Sequence, residues 1–99
     1  DSPERRLLIQ LYIDGAPKMT LAGHNFSGWD LRGVEWQNRN LARCDFTGAD
    51  LRNVKLDHAT LAGANLTLAN LQGATGFEPA DHEGLILHKT TLPDGTTSD

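Results

Sequence analysis

Eleven large apolar residues recur five apart without a slip: Leu21, Phe26, Leu31, Trp36, Leu41, Phe46, Leu51, Leu56, Leu61, Leu66 and Leu71. A period of five suits neither an α-helix, whose face repeats about every 3.6 residues, nor a plain strand, whose face repeats every two. On a helix the series would wander around all sides. The pattern instead predicts a short extended piece, a corner and another short extended piece. A second column keeps the same beat two residues earlier: Met19, His24, Trp29, Val34, Arg39, Cys44, Ala49, Val54, Ala59, Ala64 and Ala69. Positions two apart in extended backbone face the same way, so this column and the centres are both expected to point inward. Asn, Asp or Thr precedes most centres. Gly recurs two residues after them, as at Gly23, Gly28 and Gly63, where a corner needs backbone freedom.

Composition narrows the choice of function. The chain has 99 residues, which is one small domain. It has one Cys, so an intrachain disulfide framework is excluded. No apolar run approaches the roughly 18 residues of a membrane-spanning helix. The formal net charge is −4. Between residues 19 and 73, Asp30, Glu35, Asp45, Asp50 and Asp57 are balanced by Arg32, Arg39, Arg43, Arg52 and Lys55. The repeat itself is therefore neutral, and the acidity sits at the ends. No basic stripe exists, so a nucleic-acid partner is not expected.

Ala49-Asp50-Leu51-Arg52-Asn53, Ala64-Asn65-Leu66-Thr67-Leu68 and Ala69-Asn70-Leu71-Gln72-Gly73 resemble the pentapeptide-repeat family, whose unit reads roughly A-(D/N)-L-x-x. The resemblance covers residues 19 to 73. It departs from the family pattern at Arg39, and at Met19, His24 and Trp29, where small residues are preferred. It resembles small cyanobacterial-type members most. The fold it implies is an all-β solenoid, a right-handed quadrilateral β-helix of about 2.75 coils, with a short N-terminal capping α-helix and an irregular C-terminal cap. The regular part would stand about 13 Å tall at the usual strand spacing.

The domain reading follows: a capping helix and linker over 1–18, the β-helix over 19–75, and a C-terminal cap with a loop-rich tail over 76–99. Ser2 as N-cap, Pro3 at the first helical position and Glu4 near the positive dipole end predict a helix from Pro3 to Ile13. Its stripe of Leu7, Leu8, Leu11 and Tyr12 would cover the first coil, with Met19, His24 and Trp29 filling the gap. In the tail, Gly84-Leu85-Ile86-Leu87-His88 reads as a last strand over the final coil, and Leu92-Pro93-Asp94-Gly95 as a turn.

Residues twenty apart should stack one coil apart, giving four walls. One carries Ala22, Asn40, Ala42, Thr60 and Ala62, an uncharged ladder and the first candidate interaction face. Another stacks Asp30 on Asp50 and Arg32 on Arg52, the alternative charged face. Like charges stacked in this way repel unless diagonal partners compensate. Arg39 is the anomaly: its register is inward, where an unpaired charge is costly, so an outward bulge or a snorkelling side chain is expected.

Chemistry is sought and not found. His24 and Cys44 stack in the inward column, but two ligands do not make a zinc site. Asp81, His82, Glu83 and His88 read as a solvated loop. No nucleophile elbow, phosphate loop, HExxH or CxxC pattern occurs. No enzyme activity, cofactor or metal is expected. The leading expectation is a non-catalytic binding module or scaffold that meets a protein partner through flat β-helix faces, as one piece of a larger assembly. The alternative comes from the quinolone-resistance branch of the family: a DNA-mimicking regulator of DNA gyrase. End-to-end self-association stays open. The expected compartment is the cytoplasm, with the thylakoid lumen or periplasm as alternatives if a targeting segment has been removed.

Overall fold

A computed structural model describes residues 21–79 and 82–98. Each five-residue unit opens with a tight turn. The carbonyl of the apolar centre accepts a hydrogen bond from the amide three residues on: Leu21 O from His24 N at 3.1 Å, and Leu71 O from Ala74 N at 2.8 Å. The third residue of every such turn has positive φ, from 60° at Arg43 to 79° at Gly73. Positive φ at that place defines a type II turn, which explains the glycine column. Asn38, Arg43, Asn53, His58 and Leu68 take the same conformation without being glycine.

A side chain in the left-handed region costs roughly 1–2 kcal/mol. Leu68 has φ of 61° and is 58% exposed, so it gains little burial in return. Leu68→Gly should stabilise the protein by about 0.5–1 kcal/mol, the relief of strain exceeding the extra entropy of glycine. Chemical denaturation checks this; an unchanged or lower midpoint contradicts it.

Between turns, one residue pairs with the residue twenty positions on. The pairs are Asn40 with Thr60 on side one; Asn25, Asp45 and Asn65 on side two; Asp30, Asp50 and Asn70 on side three; and Glu35, Lys55 and Thr75 on side four. Twenty residues therefore make one four-sided coil, in the register that the family resemblance implies. Each bridge is parallel and held from both flanks: Leu31 N donates to Asp50 O at 2.8 Å, and Asp50 N donates to Trp29 O at 2.9 Å.

The expected all-β solenoid, a right-handed quadrilateral β-helix with a capping α-helix, is corrected by these features. Among the described residues there is no α-helix and no extended strand, and the pairing consists of isolated single-residue bridges. The physical reason lies in the repeat itself. A turn consumes two of every five residues, so no stretch of backbone stays extended long enough to build a continuous sheet. The expected helix over Pro3 to Ile13, and with it Met19, lies outside the described residues.

The core is a column of side chains inside the stack. All eleven centres are buried, as are Val34, Cys44, Ala49, Val54, Ala59, Ala64 and Ala69 of the second column. Phe26 and Phe46 stack one coil apart, with ring centroids 5.5 Å apart and planes 9° from parallel. Trp36 tilts against both, at 5.3 and 5.6 Å. Its indole N–H is buried without a hydrogen-bond partner. Trp29 meets Phe26 edge-on at 5.0 Å, and His24 stacks on it at 5.6 Å.

The beat fails at Gly76, which stands where a further apolar centre would fall. Phe77 is buried there in its place. The tail then rejoins the stack one residue out of step. Ile86 pairs with Asn65 and Thr91 with Asn70, twenty-one positions apart instead of twenty. The buried Thr90 donates its hydroxyl to Leu66 O at 2.6 Å. Gly95 N donates to Leu92 O at 2.8 Å, closing the turn expected at Leu92-Pro93-Asp94-Gly95. Thr97 then pairs antiparallel with Thr91, so the chain folds back on its own last rung.

Candidate functional site

The residues before the centres acquire a physical role. Asn25, Asp30, Asn40, Asp45, Asp50, Asn65 and Asn70 each accept, through Oδ1, the amide two residues on, at 2.9–3.3 Å, and Asp94 does the same in the tail at 3.0 Å. These local bonds fix the entry to each turn, as short Asx side chains do in turns generally. They also hold the outward side chains in set positions. Thr47 Oγ1 donates to Asp45 Oδ1 and Thr67 Oγ1 to Asn65 Oδ1, both at 2.6 Å. The Thr47 bonds hold the Asp45 carboxyl below the usual carboxylate range.

On side three the same device makes a charged strip. Arg32 grips Asp30 with two bonds, Nε to Oδ1 and Nη2 to Oδ2, each 2.9 Å. One coil on, Arg52 repeats the grip on Asp50 at 2.9 and 2.7 Å. Arg32 Nε also lies 3.7 Å from Asp50 Oδ2, tying the two coils together. The expected repulsion of stacked like charges is therefore offset both along the chain and diagonally. Hydrogen bonding to Arg52 holds the Asp50 carboxyl below its ordinary range. Exposure rises along the strip, from 16% for Asp30 and 25% for Arg32 to 30% for Asp50 and 43% for Arg52. A recess of about 440 Å³ lies against it, lined by Arg32, Gly33, Arg52 and Asn53.

The uncharged ladder offers less. Ala42 is buried, and Ala22 and Ala62 are half-buried. Asn40 and Thr60 are exposed, but Asn40 Oδ1 already accepts the Ala42 amide at 3.1 Å. Arg39 forms no backbone bulge. Its carbonyl accepts Thr60 N at 2.9 Å and its amide donates to Trp36 O at 3.2 Å, as at neighbouring units, and the residue is half-buried.

His24 and Cys44 converge on one carbonyl. Cys44 Sγ donates to Leu21 O at 3.0 Å, and His24 Nδ1 lies 3.2 Å from the same oxygen. Burial pushes the Cys44 thiol above its ordinary range, which leaves little reactive thiolate. Among the described residues, no group of three or more His, Cys, Asp or Glu side chains is placed to hold a metal ion. No helix among them is long and apolar enough to cross a membrane.

Turn-and-bridge coils around a filled core, with ordered polar side chains outside, define the chain as a repeat protein built from five-residue units. Residues 44–75 match the family model described as pentapeptide repeats, in eight copies. That segment, about a third of the chain, is similar to the repeats of this family. No curated protein matches the chain. Among solved structures, it is similar to HetL, a pentapeptide repeat protein involved in heterocyst differentiation regulation in the cyanobacterium Nostoc sp. strain PCC 7120. That match has 25% identity and a TM-score of 0.35, over 80% of this chain and 43% of HetL. It is also similar to a pentapeptide repeat protein from the Arabidopsis thaliana thylakoid lumen, at 27% identity and a TM-score of 0.48, over 81% of this chain and 69% of that one. The chain thus spans less than half the length of HetL.

Two expectations of function are corrected. Interaction through flat β-helix faces requires continuous sheet walls, and the described residues pair only through isolated bridges. A DNA-mimicking regulator of gyrase requires a long rod with a continuous column of negative charge. Side three instead alternates Asp with Arg in closed ion pairs.

Proposed function

We propose that this chain is a non-catalytic recognition unit that engages a protein partner through the charged strip of Asp30, Arg32, Asp50 and Arg52. One observation carries the reading: these four outward side chains are locked by paired hydrogen bonds, in register, one coil apart. Side chains already held in place lose less freedom on binding, which favours complex formation. Arg is also enriched at protein interfaces. The partner surface that fits is one of alternating acid and base, because each Arg carries its Asp with it. The uncharged ladder of Ala22, Asn40, Ala42, Thr60 and Ala62 is the competing surface, with its alanines recessed.

A photo-reactive amino acid placed at Arg52, or in a parallel sample at Thr60, tests the choice in extracts of the source organism. The expected result is a discrete protein adduct from position 52, weakened at high salt and absent from position 60. Adducts from position 60 alone would overturn the reading. Arg52→Ala should leave the unfolding midpoint essentially unchanged, as loss of an exposed ion pair generally does, so loss of a partner would not reflect unfolding.

A further inference from the structure

On side one, the amide of the centre Leu41 reaches the next coil. Leu41 N donates to Thr60 O at 2.8 Å. One coil on, Leu61 N finds a side chain instead: it donates to Nδ1 of His82 at 3.2 Å. His82 thus stands in for a backbone carbonyl where the tail rejoins the stack one residue out of step. From there the closure runs on through Gly63 N to Glu83 O, Leu66 N to Ile86 O and Leu68 N to His88 O, each 2.9 Å. An amide donor requires Nδ1 to be the acceptor, so this ring nitrogen carries no proton.

We propose that His82 is an acid-sensitive latch on the C-terminal closure. A proton taken from solvent onto Nδ1 converts the acceptor into a donor that faces the donor of Leu61. That hydrogen bond breaks, and the adjoining closure at Glu83 loosens from the last coil. An imidazole is the side chain suited to a proton-operated device of this kind. The groups around His82 suit the switch. Asp57 and His58 from the coil beneath, and Glu78 from the connecting segment, line with it an open recess of about 530 Å³. Glu83 is its neighbour in sequence. The carboxylates of Asp57 and Glu78 supply counter-charge for the imidazolium once it leaves Leu61. His58 is a second imidazole in the same recess, so a test must separate the two histidines. The inference does not depend on the role given to the charged strip.

Amide hydrogen exchange, corrected for the intrinsic effect of pH, reads the latch directly. Between pH 7.5 and 5.0, protection at Leu61 and Gly63 should fall about tenfold, the equivalent of one net hydrogen bond, while Leu41 stays protected. In His82→Asn, whose Oδ1 can accept the same amide without titrating, the fall should vanish. In His58→Gln it should persist. An unchanged ratio in the wild type, an equal fall in His82→Asn, or a fall abolished only by His58→Gln would each overturn the proposal. If His82→Asn does not fold, the ring nitrogen shifts of wild-type His82 decide. Protonation of Nδ1 must coincide with the loss of Leu61 protection, and separate midpoints would refute the latch.

Discussion

Replacing Phe46 with alanine is expected to cost about 3–5 kcal/mol, the range for removing a buried aromatic from a packed core. Phe46 is 1% exposed and lies midway along the stack. It is sandwiched by its parallel contact with Phe26 and its tilted contact with Trp36. The loss therefore reaches two coils at once. Whole domains are held by only about 5–15 kcal/mol, so the variant should unfold at a much lower urea concentration. Phe46→Leu is the control. The next residue in the same column is Leu66, also buried, so leucine already fits this environment one coil away. It should cost clearly less than alanine. Equal losses would show that the aromatic column is not packed as described.

The second large effect is expected at Gly76. Its φ is +74°, and a Cβ there would lie 2.5 Å from both the backbone N and Cα of Asp57, besides striking the Asp57 carboxylate. Backbone cannot move aside as a flexible side chain can. Gly76→Ala should therefore add a steric penalty of roughly 1–3 kcal/mol to the left-handed strain of roughly 1–2 kcal/mol. Gly28 isolates the strain. Its φ is +72°, and a Cβ there would meet nothing within 4 Å. Gly28→Ala should thus lose only about 1 kcal/mol. Thermal or urea unfolding of the pair checks the difference. Equal losses at the two sites would mean that the chain does not cross Asp57 as closely as described.

Much of this was legible in the residues, and the parts that were not have identifiable causes. The fivefold beat named every buried centre from Leu21 to Leu71, because a filled interior tolerates no polar side chain at those positions. The twenty-residue register came from the family resemblance, which implies four five-residue units per coil. The beat misled on strand content. The same beat that places a Leu every five residues places a turn there too, and Gly33 or Asn53 at positive φ leaves room for one bridged residue per side. The Asn and Asp column was visible, but its purpose was not: a preference for Asn25 or Asp45 before the centre becomes intelligible only when Oδ1 is seen accepting the amide two residues on.

The tail was the least legible part. Composition marked Phe77 to Asp99 as loop-rich, with a last strand expected over Gly84 to His88; of that run only Ile86 bridges the stack, one residue out of step. Nothing local in Thr91 announces a partner at Asn70. The signal for the slip was present in Gly76, a small residue where the period calls for a large one. At the site, the sequence placed Asp30, Arg32, Asp50 and Arg52 on one side. It left open whether their stacking was a liability. The two-point grips of Arg32 on Asp30 and of Arg52 on Asp50 resolve that question, because each guanidinium is neutralised before it meets the next coil. His82 was read as part of a solvated loop, since a backbone donor twenty-one residues away leaves no trace in local sequence.

The most direct test of the turn-and-bridge stack is a measurement of scalar couplings across backbone hydrogen bonds in isotopically labelled protein. Couplings are expected from Leu31 N to the Asp50 carbonyl, from Asp50 N to the Trp29 carbonyl and from Leu51 N to the Asn70 carbonyl, three of the bonds that link successive coils on side three, at 2.7–2.9 Å. The turn bond from Val34 N to the Leu31 carbonyl should appear beside them. Absence of the inter-coil set, or partners displaced from the twenty-residue register, would contradict the stack and everything placed upon it.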